Sequence, residues 1–153
     1  MTIVQTACKD VPGFETFYQK FLRRMSINDR AESTCKNYGR SLGSIALHFK
    51  CIPTVLKLDD IEEYLFIVKN RSEHGSDIAM KFAICALRFV YRMEGLDELR
   101  LKLPVIKRRR KLPVVLSKEE MTAMMNIPCL LRHRVMIALL YGCGLRCGEV
   151  RNI

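Results

Sequence analysis

Long apolar runs are missing from these 153 residues, and so is a charged-then-apolar opening. No stretch approaches the roughly 20 apolar residues that a bilayer-crossing helix needs, and the N-terminus lacks the order of a secretory leader. Neither a membrane partner nor secretion is expected. Low-complexity tracts are absent too; with 49% apolar and 27% charged residues, a real core is within reach. Complete metal-ligand sets are also lacking. The seven cysteines, at 8, 35, 51, 85, 129, 143 and 147, are odd in number and scattered. That suits reduced thiols in a cytoplasm rather than a disulfide framework. Cys143 and Cys147 can share a helix face, and His48 precedes Cys51 by three residues, but neither pair has a second pair to complete a zinc site. No metal or other cofactor is expected.

Acidic residues are scarce where basic ones crowd. Residues 1–98 hold 14 Lys/Arg against 13 Asp/Glu, whereas residues 99–153 hold 12 against 3. Seven of those twelve lie between Arg100 and Lys111, with no acid among them. The surplus of +10 is therefore local, and a concentrated positive patch points to a polyanion, above all nucleic acid through counterion release.

The length allows one domain, or a small domain with part of a second. Residues 1–12, which run into the break Val11-Pro12-Gly13, read as a loose arm. Phe14, Phe17, Tyr18, Phe21, Leu22 and Met25 follow the helical i, i+3, i+4, i+7 rule. A second helix begins near Ser33 or Thr34 and buries Cys35, Tyr38, Leu42, Ile45 and Phe49. A third follows the acidic turn Asp59–Glu63, with Ile61, Tyr64, Leu65 and Val68 inward. A fourth starts at Gly75-Ser76-Asp77, turns Ile78, Phe82, Cys85, Ala86 and Phe89 inward, and stops at Gly95. Four helices with short connections imply an all-α bundle. Pro104 and Pro113 then frame an extended strap carrying Lys107, Arg108, Arg109, Arg110 and Lys111.

Five consecutive cations suit the phosphate backbone of a duplex, contacted without reading its bases. The alternative is a solvated connector or an address tag. On the fourth helix, Lys81, Arg88 and Arg92 fall at i, i+7 and i+11 and share a face; on the second, Lys36 and Arg40 pair at i, i+4. Spacing alone leaves these open between DNA contacts and ordinary solvated faces.

The last 37 residues carry the most specific pattern. Ser117 and Glu120 form a capping box, Pro128 breaks the helix it opens, and Leu130–Leu140 makes a second, apolar helix. Tyr141-Gly142-Cys143-Gly144-Leu145-Arg146 then turns tightly, with Glu149 three residues beyond Arg146. The order LP-x-x-LS-x-EE, short helix, Pro, apolar helix, Y-G-x-G-L-R-x-x-E resembles the opening of the catalytic domain of tyrosine recombinases of the phage-integrase type. The resemblance runs back through the linker. The first 98 residues match by pattern only, looking like that family's helical, SAM-like core-binding domain.

The resemblance implies a division into an arm (1–12), a core-binding DNA-binding domain (13–98), a basic linker (99–116) and the first part of a catalytic domain (117–153). Arg146 then corresponds to the first catalytic arginine, which would stabilise charge on a pentavalent phosphate. Glu149 is the acid that supports it. In an intact enzyme the resemblance implies strand cleavage and rejoining through a phosphotyrosine, with double-stranded DNA and other recombinase protomers as partners, in the cytoplasm at the nucleoid. The remaining machinery has no counterpart here. No His-x-x-Arg pair occurs, and the five tyrosines, at 18, 38, 64, 91 and 141, all precede Arg146. The chain is therefore expected to bind DNA without cutting it, as the front of a recombinase. The alternatives are a catalytically dead relative acting as a site decoy or regulator, or a helical interaction module. Residues 117–153 are expected to leave apolar side chains uncovered.

Overall fold

Where the sequence suggests a loose arm, the chain forms helix α1, Ile3–Asp10. The computed structural model describes residues 1–70, 76–105 and 114–153, the side chain of Ser76 excepted. The Thr2 hydroxyl accepts from the Gln5 N–H at 3.3 Å, and Gln5 Oε1 accepts from the Thr2 N–H at 2.8 Å. That reciprocal cap satisfies two donors a helix start otherwise leaves open. Ala7 and Val11 are fully buried, with Val4 and Cys8 packed beside them, so α1 is tied down by a helical stripe on α3. The Pro12-Gly13 break ends a helix rather than a tail.

All regular structure among the described residues is helical, as expected. The chain divides into two compact units, Met1–Lys107 and Arg108–Ile153. In the first, α2 (Phe14–Ile27), α3 (Glu32–Phe49), α4 (Leu58–Asn70) and α5 (Ser76–Glu94) follow α1. The periodic side chains of α2 do what their spacing predicts: Phe14, Phe17, Phe21 and Met25 are buried. Phe14 and Tyr18 stack at 6.0 Å, and Phe21 meets Phe89 of α5 edge-on at 5.7 Å. Such aromatic pairs contribute about 0.5–1.5 kcal/mol each beyond their burial. Gly39 lets α3 approach this ladder, since a Cβ there would lie 2.7 Å from the Tyr18 hydroxyl.

Two further features differ from the sequence expectation, one a buried face and one a boundary. The buried face of α5 is Ala83, Ile84, Ala86, Leu87, Val90 and Tyr91, while Ile78 is 60% exposed and Phe82, Cys85 and Phe89 are only partly covered. A helix packed by α2, α3 and α4 needs a stripe wider than one amphipathic face. Beyond Gly95, at φ +74°, the Leu96 N–H donates to Tyr91 O at 2.8 Å and closes α5. The linker expected from residue 99 instead begins as helix α6, Asp97–Lys102, after which Leu103 is buried against the core. The acidic pair Asp97-Glu98 and the basic pair Arg100 and Lys102 match the two ends of the helix dipole. Lys107, Arg108, Arg109, Arg110 and Lys111 lie outside the described residues.

The second unit holds α7 (Lys118–Asn126), α8 (Leu131–Gly142) and α9 (Cys147–Val150). The capping box forms as read: Ser117 Oγ accepts from the Glu120 N–H at 3.1 Å, and Glu120 Oε2 accepts from the Ser117 N–H at 2.8 Å. Burial does not follow. Met121 is the one buried apolar side chain described in this unit, while Leu130, Leu131, Val135, Met136 and Tyr141 stand exposed. No helix among the described residues is long and apolar enough to cross a membrane.

Candidate nucleic-acid interface

The end of α2 builds the centre of the site. Asn28 caps the helix, and Asp29 takes the left-handed conformation at φ +48°, a region that Asp tolerates better than most side chains. The Asp29 N–H then donates to Ser26 O at 3.0 Å, and the Arg30 N–H to Met25 O at 3.1 Å. This is the paired closure of a Schellman turn. The Cys35 thiol, from the first turns of α3, reaches the Arg30 carbonyl at 3.7 Å. Arg30 is therefore fixed at its backbone on both sides while its side chain remains exposed.

Opposite it stand Arg88 and Arg92 on α5. Two adjoining recesses share Arg30, Phe89 and Arg92, and Arg88 lines the larger of them. The smaller adds Arg24 and Asn28; the larger, a hollow of 290 Å³, adds Tyr38, Cys85, Arg88 and Arg100. Five guanidiniums thus converge on one concave surface, and no carboxylate among the described residues lines it. Arg24, Arg30 and Arg92 have no ion-pair partner among the described residues, whereas Arg100 pairs with Asp97 at 2.9 Å. Tyr38 sits in the wall with its hydroxyl pushed above the usual phenol range. Burial is the main cause, then the Cys85 thiol, against a downward pull from Arg30.

Arg88 is engaged differently from its neighbours. Its Nη2 donates to Leu103 O at 3.3 Å and to Pro104 O at 3.0 Å, so it ties α5 to the chain leaving α6. Lys81 is exposed further along the same row of α5 and lines neither recess. Lys36 and Arg40 lie outside the recesses also, each two residues and therefore about 200° round α3 from Tyr38. Both are exposed, and Lys36 pairs with Glu32 at 2.7 Å. The two faces proposed from spacing are thus unequal: α5 turns two of its three cations to the recess, and α3 turns neither.

Arg24, Arg30 and Arg100 are the members that sequence reasoning missed. Arg24 is one of several surface cations on α2, and Arg100 belongs to what reads as a linker. For Arg30 a signal existed, a basic residue directly after the helix stop Asn28-Asp29. Its direction depends on Asp29 being left-handed, which composition does not reveal.

In the second unit, Arg146 stands at the N-cap of α9. Glu149 Oε2 accepts from the Arg146 N–H at 2.7 Å, and its Oε1 lies 3.3 Å from Arg146 Nη1. The carboxylate therefore caps the helix and steers the guanidinium, which is 86% exposed at its side chain. Gly144, at φ +64°, makes the turn that brings Arg146 to this position. Among the described residues, no group of three or more His, Cys, Asp or Glu side chains could hold a metal ion.

Comparison with known proteins follows the same lines. No family model matches the chain. Over 90 residues it is 37% identical to the tyrosine recombinase XerA of Thermococcus onnurineus, a match covering 58% of this chain and 32% of that protein. XerA of Thermococcus kodakarensis is 34% identical over 90 residues, with the same coverage. A protein named integrase/recombinase y4qK, from Sinorhizobium fredii, is 28% identical over 133 residues, which is 86% of this chain and 43% of that protein. The matched span is about a third of the length of the XerA relatives. The recombinase-like order of motifs at one end and these similarities, over 58% to 86% of the chain, support the tyrosine recombinase family.

Proposed function

We propose that this chain binds duplex DNA as part of a site-specific tyrosine recombinase or integrase, its helical unit gripping the phosphate backbone. The observation that carries the reading is the cationic face of α5, where Lys81, Arg88 and Arg92 run into an arginine-lined recess with no acid among the described residues of its wall. An acid-free concentration of guanidiniums is what phosphate contacts require, and what a merely soluble surface avoids. Residues 13–98 serve as the core-binding bundle, of SAM-like type, and the linker 99–116 adds its five consecutive cations from Lys107 to Lys111. Residues 117–153 supply the opening of the catalytic domain. Arg146 there takes the place of the first catalytic arginine, with Glu149 holding it, and in this chain the pair binds a phosphate rather than cleaving one. Other recombinase protomers on paired sites are the expected partners, at the nucleoid of a cytoplasm.

The test is duplex affinity across a salt series, with a variant in which Lys107–Lys111 are neutralised alongside. Binding in the micromolar range that falls steeply with salt, and with a smaller slope in the variant, supports the grip. Absence of binding even at low salt removes it.

A further inference from the structure

We infer that the twin recess between the α2–α3 turn and α5 is a pocket for one phosphate group, contacted by Arg30 and Arg92 and shaped by Arg88. The inference rests on the DNA-binding reading for its natural ligand, a backbone phosphate of a duplex, but not for its chemistry.

Three features set this pocket apart from a generally basic face. The first is convergence. Arg30 comes from the α2–α3 turn and Arg92 from α5; both line both hollows, and neither has an ion-pair partner among the described residues. Two unpaired forks facing one hollow repel each other unless an anion lies between them, and a phosphate oxyanion offers the acceptors that guanidinium forks match. The second is rigidity. The Schellman turn fixes the backbone of Arg30, and α5 fixes that of Arg92 with Val90 and Tyr91 buried beside it. Ordering on binding is then confined to the two side chains. The third is volume. At 290 Å³ the larger hollow has room for a phosphate with several waters, since a water occupies about 30 Å³ in the liquid.

Arg88 has a separate part. Its Nη2 is committed to the Leu103 and Pro104 carbonyls, so its charge lends field to the hollow while its hydrogen bonds hold the wall and the exit of the chain from α6. It is a positioning residue. A lysine keeps the charge but carries a single ammonium on a flexible stem, which is poorly suited to bracing two successive carbonyls.

The pocket is tested on the full chain with two probes, inorganic phosphate and a generic duplex. Phosphate titration followed by amide shifts should move Arg30, Phe89 and Arg92 in the native chain and leave them still in the Arg30→Gln/Arg92→Gln double variant. A matched Arg30→Lys/Arg92→Lys variant checks that the fold and overall charge are not the cause, and it should bind phosphate weakly. For the duplex, one phosphate held by both arginines predicts that the double glutamine variant lowers the salt slope by about one. A drop of about two means separate contacts on an open face, and overturns the pocket, as does an unchanged slope. Arg88→Lys should weaken phosphate binding and speed amide exchange at Leu103 and Val105; native behaviour in both overturns its positioning role. Phosphate shifts lost in the double variant, in a chain that fails to bind duplex at any salt, would keep the pocket and remove the DNA reading. Native duplex binding with no response to phosphate and no change in slope would do the reverse.

Discussion

Both units of this chain are helical and each opens on a capping box, Thr2–Gln5 in one and Ser117–Glu120 in the other, but they differ in what their helices hide. In Met1–Lys107, Phe14, Phe21, Met25, Leu42, Ile45, Ile84 and Leu87 are fully buried around one core. In Arg108–Ile153, α8 is apolar on most of its surface, yet Leu131 is 74% exposed and Val135 and Met136 are open beside it. Those side chains line an apolar hollow with Leu139, Val150 and Ile153. Helix formation is a local matter of caps and breakers, so both units achieve it. Burial needs several elements converging from distant parts of the sequence, and only the first unit brings them together.

The sharpest way to break the comparison is to shorten one leucine in each unit. Leu87→Ala removes a fully buried side chain and leaves a cavity, at an expected cost of about 2–5 kcal/mol in urea unfolding. Leu131→Ala should change stability by less than about 0.5 kcal/mol. Comparable losses at the two sites would mean that α8 is covered in solution, and the contrast between the units would fall.

A second, smaller effect is confined to the first unit. Tyr91 is buried, its hydroxyl donating a long 3.4 Å hydrogen bond to Pro53 O, and burial pushes its pKa up to about 12. The unfolded phenol titrates near 10. Since the folded value is the higher, the folded state holds the proton more tightly. Its contribution is intact below about pH 10 and is lost as pH rises toward about 12. The limit is on the order of 2–3 kcal/mol, from about 1.4 kcal/mol per pKa unit. Tyr91→Phe has nothing to ionise, so its stability relative to the native chain should rise between about pH 9 and pH 11 in paired urea titrations. A constant difference would show that the phenol reaches water, and that this core is looser than its burial implies.

Legibility in the sequence follows the same division between local and distant causes. The α2 stripe, the Gly95 stop, the Ser117–Glu120 box and the Arg146–Glu149 pair were all readable, because each depends on residues a turn or less apart. The Thr2–Gln5 cap and the stripe Val4, Ala7, Cys8 and Val11 are equally local and equally present, but the Pro12-Gly13 break gives the segment the look of a loose arm. By contrast, the wide buried face of α5 depends on three helices packing around it, and the recess depends on the reversal at Asp29. Neither is written in any short window. The most basic segment, Lys107–Lys111, is plain in the sequence and lies outside the described residues.

The smallest effect is the most exacting test of the second unit. Ser117→Ala removes the hydroxyl that accepts from the Glu120 N–H, and an N-cap loss of this kind costs about 1 kcal/mol. Where that energy is felt depends on whether α7, α8 and α9 open together. With Met121 the one buried apolar side chain described there, little couples α7 to its neighbours. Amide exchange should therefore speed up about fivefold over Lys118–Asn126, since 1.4 kcal/mol is a factor of ten. The amides of α8 should keep their native rates, which are themselves expected to be faster than those of α2, α3 and α5. Acceleration spreading through α8 would reveal a cooperative unit held by contacts that its exposed leucines do not suggest. Exchange in α8 as slow as in α5 would show the same before any mutation was made.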